Sequence, residues 1–171
     1  MPGPAYLHGE TVELRTIETD DINFLQEMIN DPELWQGFGA PGPRNRAEME
    51  ERFEEQNGDA ALLVCRDGTP EGRVRLVDIN EQWGNAELTC YIRPESQGEG
   101  LATEACQLLI EYGFDYLPVT KLTARVFESN RVSRNLVETL GFTQEGTLRN
   151  HVYHQGEYLD LYVYGLLESE R

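Results

Sequence analysis

The residues best suited to chemistry are concentrated in the run Arg93-Pro94-Glu95-Ser96-Gln97-Gly98-Glu99-Gly100-Leu101-Ala102-Thr103-Glu104. It lies between an alternating apolar segment and a helical stripe. Two glycines there let the backbone turn so that several N–H groups point into one concavity at a helix N-terminus. Such a nest, with the helix dipole behind it, holds phosphate without basic side chains. A glycine pair also serves simply to permit a tight turn, and on this segment alone both readings stand. No Gly-Lys-Ser/Thr follows, so this is not a P-loop, and the third glycine of the dinucleotide fingerprint is missing. Asn130 and Ser133, three apart at the start of a later helix, can face one site. Each is also a favoured helix cap. His151 and His154 could suggest a base or a metal, but three histidines with no paired cysteine argue against a metal.

The elements that must position these groups follow from periodicity. A short strand is expected over residues 11–16. A helix follows, opened by Thr19-Asp20-Asp21 and carrying Ile22, Leu25 and Ile29 on one face. Residues 37–43 read as a loop, and an acidic helix over residues 47–56 is closed by Asn57-Gly58. Strands are expected over residues 61–65, 72–79 and 86–92. The last alternates cleanly, with Ala86, Leu88, Cys90 and Ile92 on one face and Glu87, Thr89 and Tyr91 on the other. After the glycines, Leu101, Ala105, Leu108, Leu109 and Tyr112 make a helical stripe. A strand over 121–127, a helix over 132–140 stopped by Gly141, and strands over 143–150 and 157–166 complete the pattern. The expected fold class is α/β (α+β), one domain over residues 1–171, with a mainly antiparallel sheet and one crossover helix after the 86–92 strand.

Composition excludes several partners. The chain has 171 residues and a formal charge of 14 − 31 = −17. A surface this negative repels phosphate backbones and anionic lipid, so neither nucleic acid nor membrane is the expected partner. No run of about 18 apolar residues exists to span a bilayer, and the N-terminus shows no secretory leader. Lys121 is the only lysine. Acidic excess with lysine depletion is the composition that stays hydrated in molar salt, so a halophile source is expected, with an ordinary acidic cytosolic protein as the alternative. Cys65, Cys90 and Cys106 are odd in number and lack metal-ligand spacing, which fits buried, reduced thiols in a cytoplasm.

Gln97-Gly98-Glu99-Gly100-Leu101-Ala102 resembles the Q/R-x-x-G-x-G/A motif of the GCN5-related N-acetyltransferase (GNAT) superfamily. The series Asn130-Arg131-Val132-Ser133, Leu140-Gly141-Phe142, Glu145-Gly146 and Arg149 is similar to that of the RimJ/RimL-like ribosomal-protein N-terminal acetyltransferases. Tyr158-x-Asp160, Tyr164-x-Leu166-Leu167, Leu14-Arg15 and Glu18-x-Asp20 also fit, and the likeness is strongest over residues 72–167. The resemblance implies the GNAT fold, a mixed sheet of about six to seven strands flanked by about four helices. It implies acetyl-CoA as co-substrate and no metal. Tyr91, Ile92, Arg93, Gln97, Gly98, Glu99, Gly100, Leu101, Ala102, Thr103, Asn130 and Ser133 are then the expected acetyl-CoA-binding residues. Glu87 is the expected general base, commonly through water, unless it only holds backbone or an arginine. Ser133 would return a proton to the sulfur, or else only cap its helix. Glu99 departs from the Lys or Arg common in the family, and many relatives use a tyrosine for the proton return. Tyr158, Tyr162 and Tyr164 are expected to pack rather than bind, and Cys90 suits direct transfer better than an acyl-cysteine intermediate.

The acceptor implied is a primary amine. An α-amine, with a pKa of about 7.7–8.0, is roughly a tenth to a fifth neutral at pH 7, whereas a lysine-like amine at about 10.4 is almost wholly protonated. The RimJ/RimL-like resemblance implies a protein N-terminus as the acceptor, and this difference in neutral fraction favours it too. A spermidine-like polyamine, an aminoglycoside or an amino acid is the enzymatic alternative, and an acetyl-CoA sensor without turnover the non-enzymatic one. The resemblance further implies a homodimer paired through its final strands, and the cysteine pattern a cytoplasmic protein.

Overall fold

The computed structural model describes residues 2–39, 42–55 and 60–171. Eight strands form one sheet: β1 (Ala5–His8), β2 (Glu13–Arg15), β3 (Ala60–Arg66), β4 (Thr69–Asn80), β5 (Asn85–Ile92), β6 (Lys121–Phe127), β7 (Thr143–His154) and β8 (Glu157–Leu167). Their spatial order is β1-β2-β3-β4-β5-β6-β8-β7. Every neighbouring pair is antiparallel except β5–β6. That pair is joined by the long helix α4 (Leu101–Tyr116), because parallel neighbours need a crossover.

The helices cover both faces. β3 shows why: Leu62, Leu63, Val64 and Cys65 are all buried in succession, a run that a sheet open to water on one side would not carry. Leu62 and Val64 join the main core under α4, together with Leu76, Leu88, Leu109 and Leu122. Leu63 and Cys65 point the other way, against Ile22 and Leu25 of α1 (Ile22–Asn30) and Met49 of α3 (Arg46–Glu54). Helix α4 lies close on β4 at Gly113, where an added Cβ would meet Leu76 Cδ1 at 2.8 Å. The buried face of α4 is broader than the expected stripe: Cys106, Ile110 and Phe114 are buried, and Leu108 and Tyr112 only partly so.

Eight strands replace the expected six to seven. The additional one is β1, a four-residue edge strand with too short an alternation to be read from the sequence. A four-residue helix, α2 (Trp35–Phe38), begins before the expected 37–43 loop, and Trp35 Nε1 donates to Ile29 O at 2.9 Å to hold it against α1. Ala40, Pro41 and the expected Asn57-Gly58 helix stop lie outside the described residues. Thr19–Asp21 is a 3₁₀ turn rather than a simple cap, with Glu18 N–H donating to Asp21 Oδ2 at 2.8 Å. The last helix, α5 (Arg131–Thr139), ends as expected at Gly141, whose φ is +91°.

Candidate active site

Strands β5 and β6 are paired only at Asn85↔Lys121, Ala86↔Leu122 and Glu87↔Thr123. β5 continues to Ile92 and β6 to Phe127, so the sheet opens into a wedge beyond Glu87. Two cavities occupy it: an inner one of about 290 Å³ that reaches Glu87, and an outer cleft of about 1090 Å³ that reaches the glycine turn. They share Gly37, Phe38, Cys90, Ser133 and Leu136, which therefore mark their junction.

The outer cleft is floored by the turn that leads into α4. Gly98 and Gly100 have φ of +81° and +83°, a left-handed conformation that other residues enter at a cost. A Cβ built on either would meet nothing within 4 Å, so open space lies directly over the turn. Gly100 is the N-cap of α4, and no side chain caps the helix there. The first N–H groups of a sixteen-residue helix thus face the cleft beside an open concavity, the arrangement that suits a phosphate oxygen. Gln97 Nε2 donates to Ile92 O at 2.9 Å, fastening the turn to the end of β5.

The opposite wall is the start of α5. Asn130 is its N-cap: Oδ1 accepts from Ser133 N–H at 3.0 Å. That bond orients the amide, and Nδ2 lies so near Gly37 that a Cβ there would meet it at 2.9 Å. Capping and site-lining coexist, since Asn130 and Ser133 both line the cleft. In the inner cavity, Glu87 Oε2 accepts from Arg125 Nε at 2.9 Å and pairs with Nη2 at 2.6 Å. The Glu87 side chain is 14% exposed and that of Arg125 50%. The same carboxylate, held first by direct hydrogen bonding, raises the pKa of Arg125. Glu87 does hold an arginine, and it faces a cavity as well.

The expected acetyl-CoA-binding residues divide. Tyr91, Ile92, Gln97, Gly98, Gly100, Leu101, Ala102, Thr103, Asn130 and Ser133 line the outer cleft. Arg93 and Glu99 line neither cavity. Arg93 lies over the Phe24 ring, 5.3 Å from its centroid, and faces Glu71 and Glu95. Glu99 is bonded to Arg66. Tyr158, Tyr162 and Tyr164 are also outside both cavities; Tyr164 is buried and its hydroxyl donates to Glu138 Oε1 at 3.1 Å. Cys65 and Cys106 are buried free thiols, but Cys90 is half-buried and lies at the junction.

Several lining residues lie outside the expected acetyl-CoA-binding set, His154 among them, which the sequence offered only as a base or metal ligand. Phe38 and Gly37 come from the unrecognised helix α2, and the Phe38 ring sits 6.1 Å from that of Tyr91. His154, Gln155, Glu157 and Leu159 reach the cleft from the β7–β8 hairpin, whose register shifts between Leu148 and Val152. Glu33 and Leu34 approach from the end of α1. Among the described residues, no group of three or more His, Cys, Asp and Glu is placed to hold a metal ion, and no helix is long and apolar enough to cross a membrane.

The model of the acetyltransferase (GNAT) domain family matches residues 11–143. Spermidine N(1)-acetyltransferase of Escherichia coli K12 is 30% identical over 153 residues, 88% of this chain and 82% of its own. YdaF of Bacillus subtilis, whose name provisionally assigns it to ribosomal N-acetylation, is 30% identical over 173 residues, covering 95% and 94%. The crystal structure of spermidine N-acetyltransferase from Vibrio cholerae in complex with CoA and spermine superposes with a TM-score of 0.89 at 26% identity, over 95% of this chain and 98% of that one. The opened β5–β6 pair and its glycine turn thus sit in a fold shared across these proteins, and the chain belongs to the GNAT family as an acetyl-CoA-dependent N-acetyltransferase.

Proposed function

We propose that the enzyme transfers the acetyl group of acetyl-CoA directly to a primary amine of a small polycation of the spermidine class. The observation that carries the transfer is the junction of the two cavities. It lies between an uncapped helix N-terminus suited to a diphosphate and a carboxylate suited to a proton. Acetyl-CoA enters along the outer cleft, its diphosphate over residues 97–103 and its thioester at Cys90, Ser133 and Leu136. N–H groups of β5 beyond its last β6 pairing polarise the thioester carbonyl, where charge develops during attack. The amine attacks from the inner side. Glu87 takes its proton through a water, with Arg125 fixing the carboxylate on one oxygen. The C–S bond breaks, and Ser133 relays a proton from water to the departing CoA thiolate, so that its own hydroxyl is restored. Glu87 returns the amine's proton to water, leaving an N-acetylated amine and CoA thiol.

The acceptor class rests on the acidic rim and on the spermidine acetyltransferases among the relatives. Glu87 lines the inner cavity, paired with Arg125; Glu33 and Glu157 line the outer cleft, where Arg131 is the one Lys or Arg among the described lining residues. A chain of spaced ammonium groups matches separated carboxylates better than a single α-amine does. A protein N-terminus is the second reading, favoured by the likeness to YdaF over nearly the whole of both chains. The deciding experiment is CoA-thiol release from acetyl-CoA in molar KCl against spermidine, spermine, N-terminal peptides, lysine peptides and aminoglycosides. Release with polyamines supports the proposal. Release with N-terminal peptides alone replaces the acceptor, and acetyl-CoA binding without release from any amine leaves the sensor reading.

The whole of residues 1–171 acts as one such domain in a cytoplasm of high salt, and a second copy pairs at the outer edge of β7. Sedimentation across a concentration series in high salt checks the pairing, and a concentration-independent monomer overturns it.

A further inference from the structure

The glycine turn carries an acidic side chain where a phosphate is to be bound, and the structure deals with that side chain by turning it away. Residues 96–103 all line the outer cleft except Glu99. Its carboxylate bonds instead to the Arg66 guanidinium at the end of β3, on the outside of the turn. Arg66 is anchored in turn: its Nη2 lies 3.5 Å from Glu71 Oε1, and Glu71 is only 7% exposed. The other Glu71 oxygen accepts from Ser96 Oγ at 2.7 Å, and the Glu71 carbonyl accepts from Arg93 N–H at 2.8 Å. One buried carboxylate therefore ties the segment leading into the turn to the arginine that holds Glu99.

We propose that Arg66 is a positioning residue for acetyl-CoA, holding Glu99 outside the diphosphate cradle and neutralising its charge. This rests on the assignment of residues 97–103 as that cradle. Among the described residues Arg66 is the cation paired with Glu99, while Arg93 faces Glu71 and Glu95 instead. Without Arg66, a carboxylate on a glycine-flanked turn can rotate toward the same open space a phosphate needs. The energy at stake is a repulsion between exposed charges, so it must fade with salt. Arg66 does not touch the reacting atoms, and its loss should alter binding rather than the chemical step.

The test is a double-substitution cycle read by calorimetric binding of acetyl-CoA to the full chain. Arg66→Ala is expected to weaken binding roughly five- to tenfold at about 0.1 M KCl, the scale of one unit charge several ångströms away near a surface. Glu99→Gln alone should bind as well as the unaltered protein or better, and Arg66→Ala/Glu99→Gln should match Glu99→Gln within about twofold. Arg66→Lys, which keeps the charge, should recover most of the loss. The Arg66→Ala deficit should shrink as KCl is raised to about 2 M, where the Debye length falls below about 3 Å. In turnover the change should appear in the KM for acetyl-CoA and not in kcat. Unchanged affinity in Arg66→Ala overturns the proposal, as does a deficit that persists in the Glu99→Gln background. Gly100→Asp probes the cradle independently of Arg66. It should abolish binding, and if it does not, the cradle assignment itself falls and the role of Arg66 with it.

Discussion

Glu87 both pairs with Arg125 and lines the inner cavity. Arg125 grips a single carboxylate oxygen, which fixes the group at the mouth of the inner cavity while Oε1 stays outside that pair. If it acts as the base, Glu87→Gln should lower kcat by about 10²-fold or more while acetyl-CoA binding measured by calorimetry holds, since general-base contributions are of that order. An equal fall in stability and binding would instead mark it as the partner of Arg125 alone. Cys90 gives an independent reading of the junction. It is half-buried between the cavities, whereas Cys65 and Cys106 are buried. A thiol reagent at mild pH should therefore modify one cysteine, and saturating acetyl-CoA should protect it; peptide mapping that finds Cys65 first would contradict the geometry. Burial pushes the Cys65 thiol up to about 11, with Asp21, Glu13 and Glu71 adding to it and Arg15 opposing.

The elements around the site act through their ends. Helix α4 presents an uncapped N-terminus to the cleft, while α5 is capped by Asn130, whose amide is then held beside Gly37. Two substitutions separate these duties. Asn130→Ala removes the cap and should cost about 1 kcal/mol in thermal or urea unfolding. Asn130→Asp keeps an oxygen for the Ser133 N–H, so stability should be retained, but it loses the amide donor and should weaken acetyl-CoA binding. Equal binding by the aspartate variant and the unaltered protein would reduce Asn130 to a cap. Strand β3 contributes one step of the alkaline pH dependence. In the unfolded chain the Cys65 thiol ionises near its ordinary value of 9.0, whereas in the fold it holds its proton to about 11. The raised folded value means stability is intact below about pH 9, is lost as pH climbs toward 11, and levels beyond it. Cys65→Ala should flatten that slope by up to one proton, as measured by urea unfolding across the range.

For the molecule as a whole, the net charge of −17 governs how stability responds to salt. Self-repulsion at that charge opposes compaction and is relieved by screening. The unfolding temperature should therefore rise, on the order of ten degrees between about 0.1 M and 2 M KCl, a gain of a few kcal/mol at this chain length. Calorimetric scans that show no rise would remove the case for a high-salt source. The same salt weakens attraction for a diphosphate. A cradle of backbone N–H groups at a helix end, rather than a ring of lysines, is a binding mode less exposed to that loss.

The alternation of residues 86–92, the glycine turn and the helix behind it were legible in the sequence because each is a local pattern with its own period. So were the ends of α5, since caps and C′ glycines are chosen within a turn of the residues they serve. Other features depended on residues far apart. Glu87 meets Arg125 across 38 positions and Arg66 meets Glu99 across 33. Phe38, Leu136 and Cys90 come together from two helices and a strand. Local patterning specifies which residues face inward. Only the packed sheet, opening where β5 and β6 cease to pair, decides which inward-facing groups meet at one site, because those meetings are set by register and twist over the whole sheet.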